Sequence, residues 1–165
     1  MTIIIPLNRG YSTLVDDDES DLTALSWHVH MRSDNPYVRY SHREGEVIHH
    51  FTLHRVILER MVARPLLRAE FVDHINGDTL NNCRSNLRLA TNAENVRNAP
   101  QRVNNKSGYK GVCWHKATKK WMAQIGVNYQ NRILGYFDDP AEAHEAYCKA
   151  ARELHGEFAN FGDTP

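Results

Sequence analysis

The chain has 165 residues, a formal net charge of zero and three cysteines, Cys83, Cys113 and Cys148. The cysteines are far apart and none forms a Cys-x-x-Cys pair, which argues against a structural zinc site and a disulfide framework and points to a reducing compartment. The apolar run Met1-Thr2-Ile3-Ile4-Ile5-Pro6 is too short for a signal peptide or a membrane span, so the expectation is a soluble intracellular protein of one domain or two small ones.

Residues 1 to about 50 read as β-rich. Ile3–Ile5 is a short apolar strand stopped by Pro6, and 10–15 is a second, followed by an acidic turn. A short helix is expected over 21–27. Two further strands are expected at 37–40 and 47–51, separated by the turn residues 43–46. His28-x-His30 and His49-His50 have no nearby cysteine or acidic partner, and they read as solvated or packed histidines rather than a metal site. Leu53 to Val62 carries apolar residues at helical spacing and ends before Arg64-Pro65. His54 and Arg55 open that helix, where a phosphate contact and a packing role both fit.

The stretch from Val72 to Asn95 is the most informative. Phe71 to Ile75 reads as a strand, Asn76-Gly77-Asp78 as a turn and Leu87 to Ala90 as a second strand. Thr91-Asn92-Ala93-Glu94 fits a capping box, which puts Asn95 in the first turn of a helix. Two strands and a helix would bring a carboxylate, an imidazole and a carboxamide together at Asp73, His74 and Asn95. Phosphodiester hydrolysis needs those types: a neutral imidazole takes a proton from water near neutral pH. A hard cation held by one carboxylate and one amide oxygen keeps positions open for phosphate and water.

The run Val72-Asp73-His74-Ile75-Asn76-Gly77-Asp78, with Asn82, Ser85-Asn86-Leu87-Arg88, Thr91 and Asn95, resembles the HNH motif of phage and intron homing endonucleases. The resemblance implies a ββα-metal fold around one divalent ion, Mg²⁺ or Mn²⁺, and the lack of a Cys-x-x-Cys pair sets the chain apart from zinc-containing relatives. The same resemblance implies that His74 is the general base, that Asp73 and Asn95 are metal ligands, and that Asn86 braces the hairpin and helps orient the histidine. Ile5-Pro6-Leu7, Val15-Asp16-Asp17, Trp27 and Leu53-His54-Arg55 resemble the region that often precedes such cores in phage endonucleases, where its role is to support the core.

The zero net charge conceals an asymmetry. Asp16, Asp17, Asp18, Glu19 and Asp21 crowd the N-terminal segment, whereas no acid occurs from Asn95 to Phe137. That basic window is the footprint expected for phosphate contact. Its polar, breaker-rich part, 99–108, reads as a domain linker whose Arg102 and Lys106 are placed to track a DNA backbone. Three strands follow, at 109–115, 121–129 and 132–137, with turns at 118–120 and 129–131. Asp139-Pro140-Ala141-Glu142 then starts a helix that runs to about Leu154.

Ser-Gly-Tyr-Lys-Gly-Val at 107–112, Lys120-Trp121, Ala123-Gln124-Ile125, Leu134-Gly135-Tyr136-Phe137, Ala141-Glu142-Ala143 and Ala146-Tyr147 resemble the AP2 DNA-binding domain. The resemblance implies a three-stranded antiparallel sheet packed on one helix, with the sheet in the major groove. Lys110 and Trp121 stand at contacting positions, and Gln124 replaces a Glu. Cys113 and Gly126 stand where plant members often carry Arg, so fewer bidentate guanine contacts are expected. Trp114 is either a surface aromatic or core. Lys119, Lys120 and Arg132 fit phosphate contact better than base reading.

The expectation is therefore an α+β chain. Residues 1–98 hold a β-rich region and an HNH core (about 68–98), 99–108 a linker and 109–165 the AP2-like domain. Its partner is double-stranded DNA, with no membrane, and both nicking and a double-strand break, by a homodimer or by two successive events, are open. The rival reading is a non-catalytic DNA-binding or regulatory protein with a decayed nuclease core. A third, RNA-binding, reading has no RNA-specific motif behind it.

Overall fold

The computed structural model describes residues 1–32, 35–101, 105–128 and 130–162. Those residues form an α+β chain with small antiparallel sheets and few helices, in two units, Met1–Thr91 and Asn92–Pro165.

In the first unit, β1 (Thr2–Pro6) pairs with β2 (Ser12–Asp16). The helix expected over 21–27 does not form. Asp17–Ala24 makes 3-10 turns, and the chain is extended at Leu25. Glu19 and Leu22 turn into the interior, and the Trp27 indole N–H donates to the Leu22 carbonyl at 2.8 Å. These tertiary anchors override the local helical signal.

A three-stranded sheet follows, in the order β3 (His28–Arg32), β4 (Asn35–Glu44), β5 (Val47–Thr52). β3 is an addition to the expected strands. It buries only Val29, so its apolar alternation is nearly silent, and pairing with β4 decides its conformation. β4 also extends well beyond the expected 37–40, because its second half is polar and exposed on both faces.

Helix α1 (Leu53–Val62) matches its expected bounds and ends on a left-handed Ala63 (φ 53°). β6 (Phe71–His74) and β7 (Leu87–Ala90) then pair antiparallel, with Asp73 opposite Arg88 and His74 opposite Leu87. Ile5, Val15, Leu22, Trp27, Val38, Leu53, Ile57 and Leu87 form the core. It therefore joins the N-terminal strands, α1 and the β6–β7 hairpin in one apolar cluster, burial of which is the main favourable term.

The second unit begins with α2 (Asn92–Asn98) directly after Thr91, where the capping box puts a helix start. Its sheet has the order β10 (Gln130–Phe137), β9 (Lys120–Val127), β8 (Val112–His115). Helix α3 (Pro140–His155) packs on that sheet, capped by Asp139 accepting from Ala141 N at 2.8 Å. Val112, Ala123 and Ile125 of the sheet are buried with Ala143, Tyr147, Ala150 and Ala151 of α3. Gly111 sits at φ +77°, and a Cβ there would lie 2.1 Å from the Tyr147 ring. Only glycine satisfies both constraints.

Candidate functional site

The β6–β7 hairpin positions Asp73 and His74, which are 3% and 6% exposed. Between the two strands runs a long loop, and the first unit secures it from outside. Leu14 N donates to Leu80 O at 3.0 Å, and Asn82 N donates to Leu14 O at 2.8 Å, so β2 lies along the loop as a strap. Arg84 N donates to the Asp16 carboxylate at 2.6 Å. The Arg84 guanidinium meets the fully buried Glu19 at 2.6 Å, and Glu19 also receives Arg60 of α1 at 2.6 Å. The acidic N-terminal segment thus ties α1 to the turn that ends in Asn86.

The loop in turn orients the imidazole. His74 Nε2 lies 3.2 Å from Asn82 Oδ1. The Asn82 amide is itself fixed, because its Nδ2 donates to Thr13 Oγ1 at 2.8 Å and to Thr79 O at 3.3 Å. Thr13 Oγ1 donates onward to Leu80 O at 2.6 Å. With the amide nitrogen engaged there, Oδ1 is the atom facing the histidine, so the network assigns the proton to Nε2 and the lone pair to Nδ1. Burial holds the His74 pKa below the ordinary histidine value, and it outweighs the opposing pull of Asn82, Asp73 and Asp78. A neutral, oriented imidazole is the form that accepts a proton.

Asn86 is also buried, and its carboxamide braces the turn: Oδ1 accepts from Asn76 N at 3.0 Å and Nδ2 donates to Asn81 O at 2.8 Å. Asn82 gains a role that its place in the motif does not reveal. Its partner Thr13 lies 69 positions away, and no local signal joins them.

Asp73 Oδ2 receives Arg88 Nε at 2.7 Å and lies 2.7 Å from Nη2. The guanidinium orients the carboxylate and offsets part of its charge. Asn95 stands on α2, in the second unit. The Asp73 carboxylate is a hard oxygen donor of the kind a divalent cation takes. Among the described residues no cluster of three His, Cys, Asp or Glu side chains could hold a metal by itself.

His54, in the first turn of α1, lies edge-on to His74 with ring centroids 5.3 Å apart, and 5.7 Å from Tyr37. Its Nδ1 is sealed from solvent without a hydrogen-bond partner. Burial, with lesser contributions from His74 and Arg55, pushes its pKa from 6.5 down to about 3. The folded state thus holds His54 neutral while the unfolded chain gains a proton below 6.5. The contribution is fully present above that pH and is lost as pH falls towards 3. The ceiling is roughly 5 kcal/mol for such a shift. His54→Phe should flatten the pH dependence of the urea midpoint between those values. An unchanged slope would show that His54 is not held neutral by the fold.

The residues proposed to meet DNA in the second unit are placed unevenly. Lys106, Lys119 and Arg132 are exposed, and Lys119 holds a left-handed turn at φ 52°. Lys120 is half-exposed and pairs with Asp138 at 3.0 Å. Gln124 reaches Cys113 Sγ at 3.7 Å. Trp121 packs partly buried against Val112, Ala123 and Ala143, and Trp114, 49% exposed, stands edge-on to it at 5.1 Å. Lys110 is occupied within the unit: its ammonium donates to the carbonyls of Arg97 at 3.0 Å and Ala99 at 2.6 Å, closing the end of α2. Asn160 adds a bond to Asn98 O at 2.9 Å. Arg102 lies outside the described residues, as does Tyr129 of the expected second turn. None of the three cysteines is in a disulfide among the described residues, and no described helix is long and apolar enough to cross a membrane.

The HNH endonuclease family matches residues 51–97, which contain the hairpin with Asp73, His74 and Asn86, and the AP2 domain family matches residues 107–157. The chain belongs to the HNH endonuclease family and carries an AP2 domain. It is 34% identical over 102 residues to Protein 3.8 of Escherichia phage T7, covering 59% of this chain and 79% of that protein. It is 32% identical over 107 residues to the protein named Uncharacterized HNH endonuclease L560 of Acanthamoeba polyphaga mimivirus, covering 65% of this chain and about half, 54%, of that one. No solved structure matches the chain.

Proposed function

We propose that the chain is a metal-dependent DNA endonuclease of homing type that hydrolyses phosphodiester bonds in double-stranded DNA. The observation that carries this reading is the His74–Asn82–Thr13 relay, which presents a buried, neutral imidazole with its lone pair on Nδ1. In this reading His74 removes a proton from the attacking water through Nδ1. The water oxygen bonds to phosphorus as the bond to the 3′ oxygen breaks, leaving a 5′-phosphate and a 3′-hydroxyl. Asp73 and Asn95 would hold one divalent ion, Mg²⁺ or Mn²⁺, which would supply neutralisation of the charge that develops in the reaction. Asn86 keeps the hairpin turn closed behind the histidine, and Arg88 keeps the Asp73 carboxylate in place.

The proposed organisation is a nuclease part, 1–98, with β6, β7 and α2 as its ββα-metal core, a connection at 99–108, and a target-holding AP2-like part at 109–165. In the connection Arg102 and Lys106 meet phosphates, and in the AP2-like part Lys119, Lys120 and Arg132 do so while Gln124 and Trp114 stand nearer the bases. Lys110 and Trp121 serve mainly to shape the module. With one base and one ion, a single copy cuts one strand per engagement, and a break in both strands needs two copies or two events.

Removal of the ion tests this reading. EDTA should abolish cleavage of duplex DNA, and Asp73→Asn should raise the Mg²⁺ concentration needed for half-maximal rate by about tenfold or more. The same substitution should weaken Mn²⁺ binding seen by electron paramagnetic resonance in the presence of DNA. Cleavage that persists in EDTA would overturn the metal assignment.

A further inference from the structure

The first unit carries a second feature that the proposed chemistry does not use. In the sheet of β3, β4 and β5, Val29 and Val38 face each other on the buried side, and Tyr40 packs on Trp27. The alternation of a strand then puts His28, His30 and Arg32 of β3, Arg39 and Arg43 of β4, and His50 of β5 on the opposite face. The one carboxylate within the described part of these strands, Glu44, has the other parity and lies 3.7 Å from His49 of that side.

Of the other guanidinium groups of this unit, Arg9 and Arg68 are exposed and five are paired. Arg55, Arg60, Arg64, Arg84 and Arg88 each sit on a carboxylate. Arg32, Arg39 and Arg43 have no acidic partner among the described residues. His28 is directly opposite Arg39, and His50 is close enough to Arg39, His28 and His30 that they add to the desolvation pushing its pKa down. Arg32, Arg39 and Arg43 thus stand as cations on one face, and a polyanion laid on it pairs them and releases its own counterions.

The face also leads to the site. Tyr37, on the same strand, is in ring contact with His54, and His54 is in ring contact with His74.

We propose that the outward face of β3–β4–β5 is a backbone-binding surface for double-stranded DNA within the nuclease unit itself, and that it seats the phosphates leading to His74. This rests on reading the chain as a DNA endonuclease and adds to it a second DNA-binding surface besides the AP2 domain. Because the cations meet phosphates, binding there is independent of base sequence.

The test is equilibrium binding of the full chain to a fluorescent duplex across a salt titration, in EDTA, so that the result does not depend on whether His74 cuts. The double variant Arg39→Gln/Arg43→Gln should lower the slope of log K against log salt by about 2, since each phosphate neutralised by a cation adds roughly 0.9 to that slope. The loss should be equal on unrelated duplex sequences. Arg39→Lys/Arg43→Lys should keep the slope, which separates removal of charge from a disturbed fold. Arg68→Gln, an exposed cation outside this sheet, should leave it unchanged. An unaltered slope in the double glutamine variant would overturn the proposal. So would an equal fall in Arg68→Gln, or a loss seen on RNA but not on DNA.

Discussion

His74→Ala should lower the rate of DNA cleavage by about 10²–10⁴-fold, the usual contribution of a positioned general base, while leaving affinity for the same duplex unchanged. The expectation follows from how the histidine is held. Its Nε2 faces Asn82, which faces Thr13, and its ring edge meets His54. That scaffold contacts the imidazole and supplies no phosphate contact of its own. Substitution therefore removes the proton acceptor without removing the cations that hold DNA. Gel-shift affinity and single-turnover cleavage measured on one preparation separate the two effects. Parallel loss of both would show that His74 serves the fold instead.

The second large effect is on stability. Glu19→Ala should lower the unfolding free energy of the first unit by about 2–3 kcal/mol, the loss of charge-assisted hydrogen bonds to two guanidinium groups that stay partly solvated. Glu19 is fully buried and receives Arg60 and Arg84, each at 2.6 Å. Without it, Arg60 retains Asp21 at 2.7 Å, but Arg84 retains only Asp18 at 3.7 Å. Asp18→Ala, at the exposed neighbouring position of the same acidic run, should cost less than about 0.5 kcal/mol. Urea unfolding followed by tryptophan fluorescence reports the first unit through the buried Trp27. Similar shifts for the two variants would mean that Glu19 acts only as one more surface acid.

These two residues also show how far the sequence can be read. His74 is legible because its chemistry is local: Asp73 precedes it, turn residues follow it, and the strands and helix start around it come from periodicities of two and 3.6 residues. Helix α1 and strand β7 have their expected bounds for the same reason. Asp139 caps α3 as Asp-Pro-Ala-Glu foretells.

Glu19 reads only as part of an acidic run, because nothing local says which one of five acids turns inward. Its partners lie 41 and 65 positions away. Asn82 escapes assignment for the same reason, since Thr13 joins it only through the fold. β3 is hidden because it has a single buried residue, and β4 reads too short because its outer half faces solvent. The charged face those strands build follows from register, which no composition window contains. Lys110 shows the converse. Its motif position indicates DNA, while the fold sets its ammonium against the carbonyls that end α2.

The N-terminal region gains a specific task from this geometry. β2 straps the loop that carries Asn82, and Asp16 and Glu19 hold Arg84 just before Asn86. The imidazole is thus positioned by residues from both ends of the first unit.

The central claim is that this chain cuts DNA with His74. It is tested most directly by incubating supercoiled plasmid carrying the gene's native flanking DNA with wild type or His74→Ala, in Mg²⁺ or in EDTA. Wild type in Mg²⁺ should give open-circular product, and the other three reactions none. Cleavage retained by His74→Ala, or none by wild type on DNA that it demonstrably binds, would contradict it.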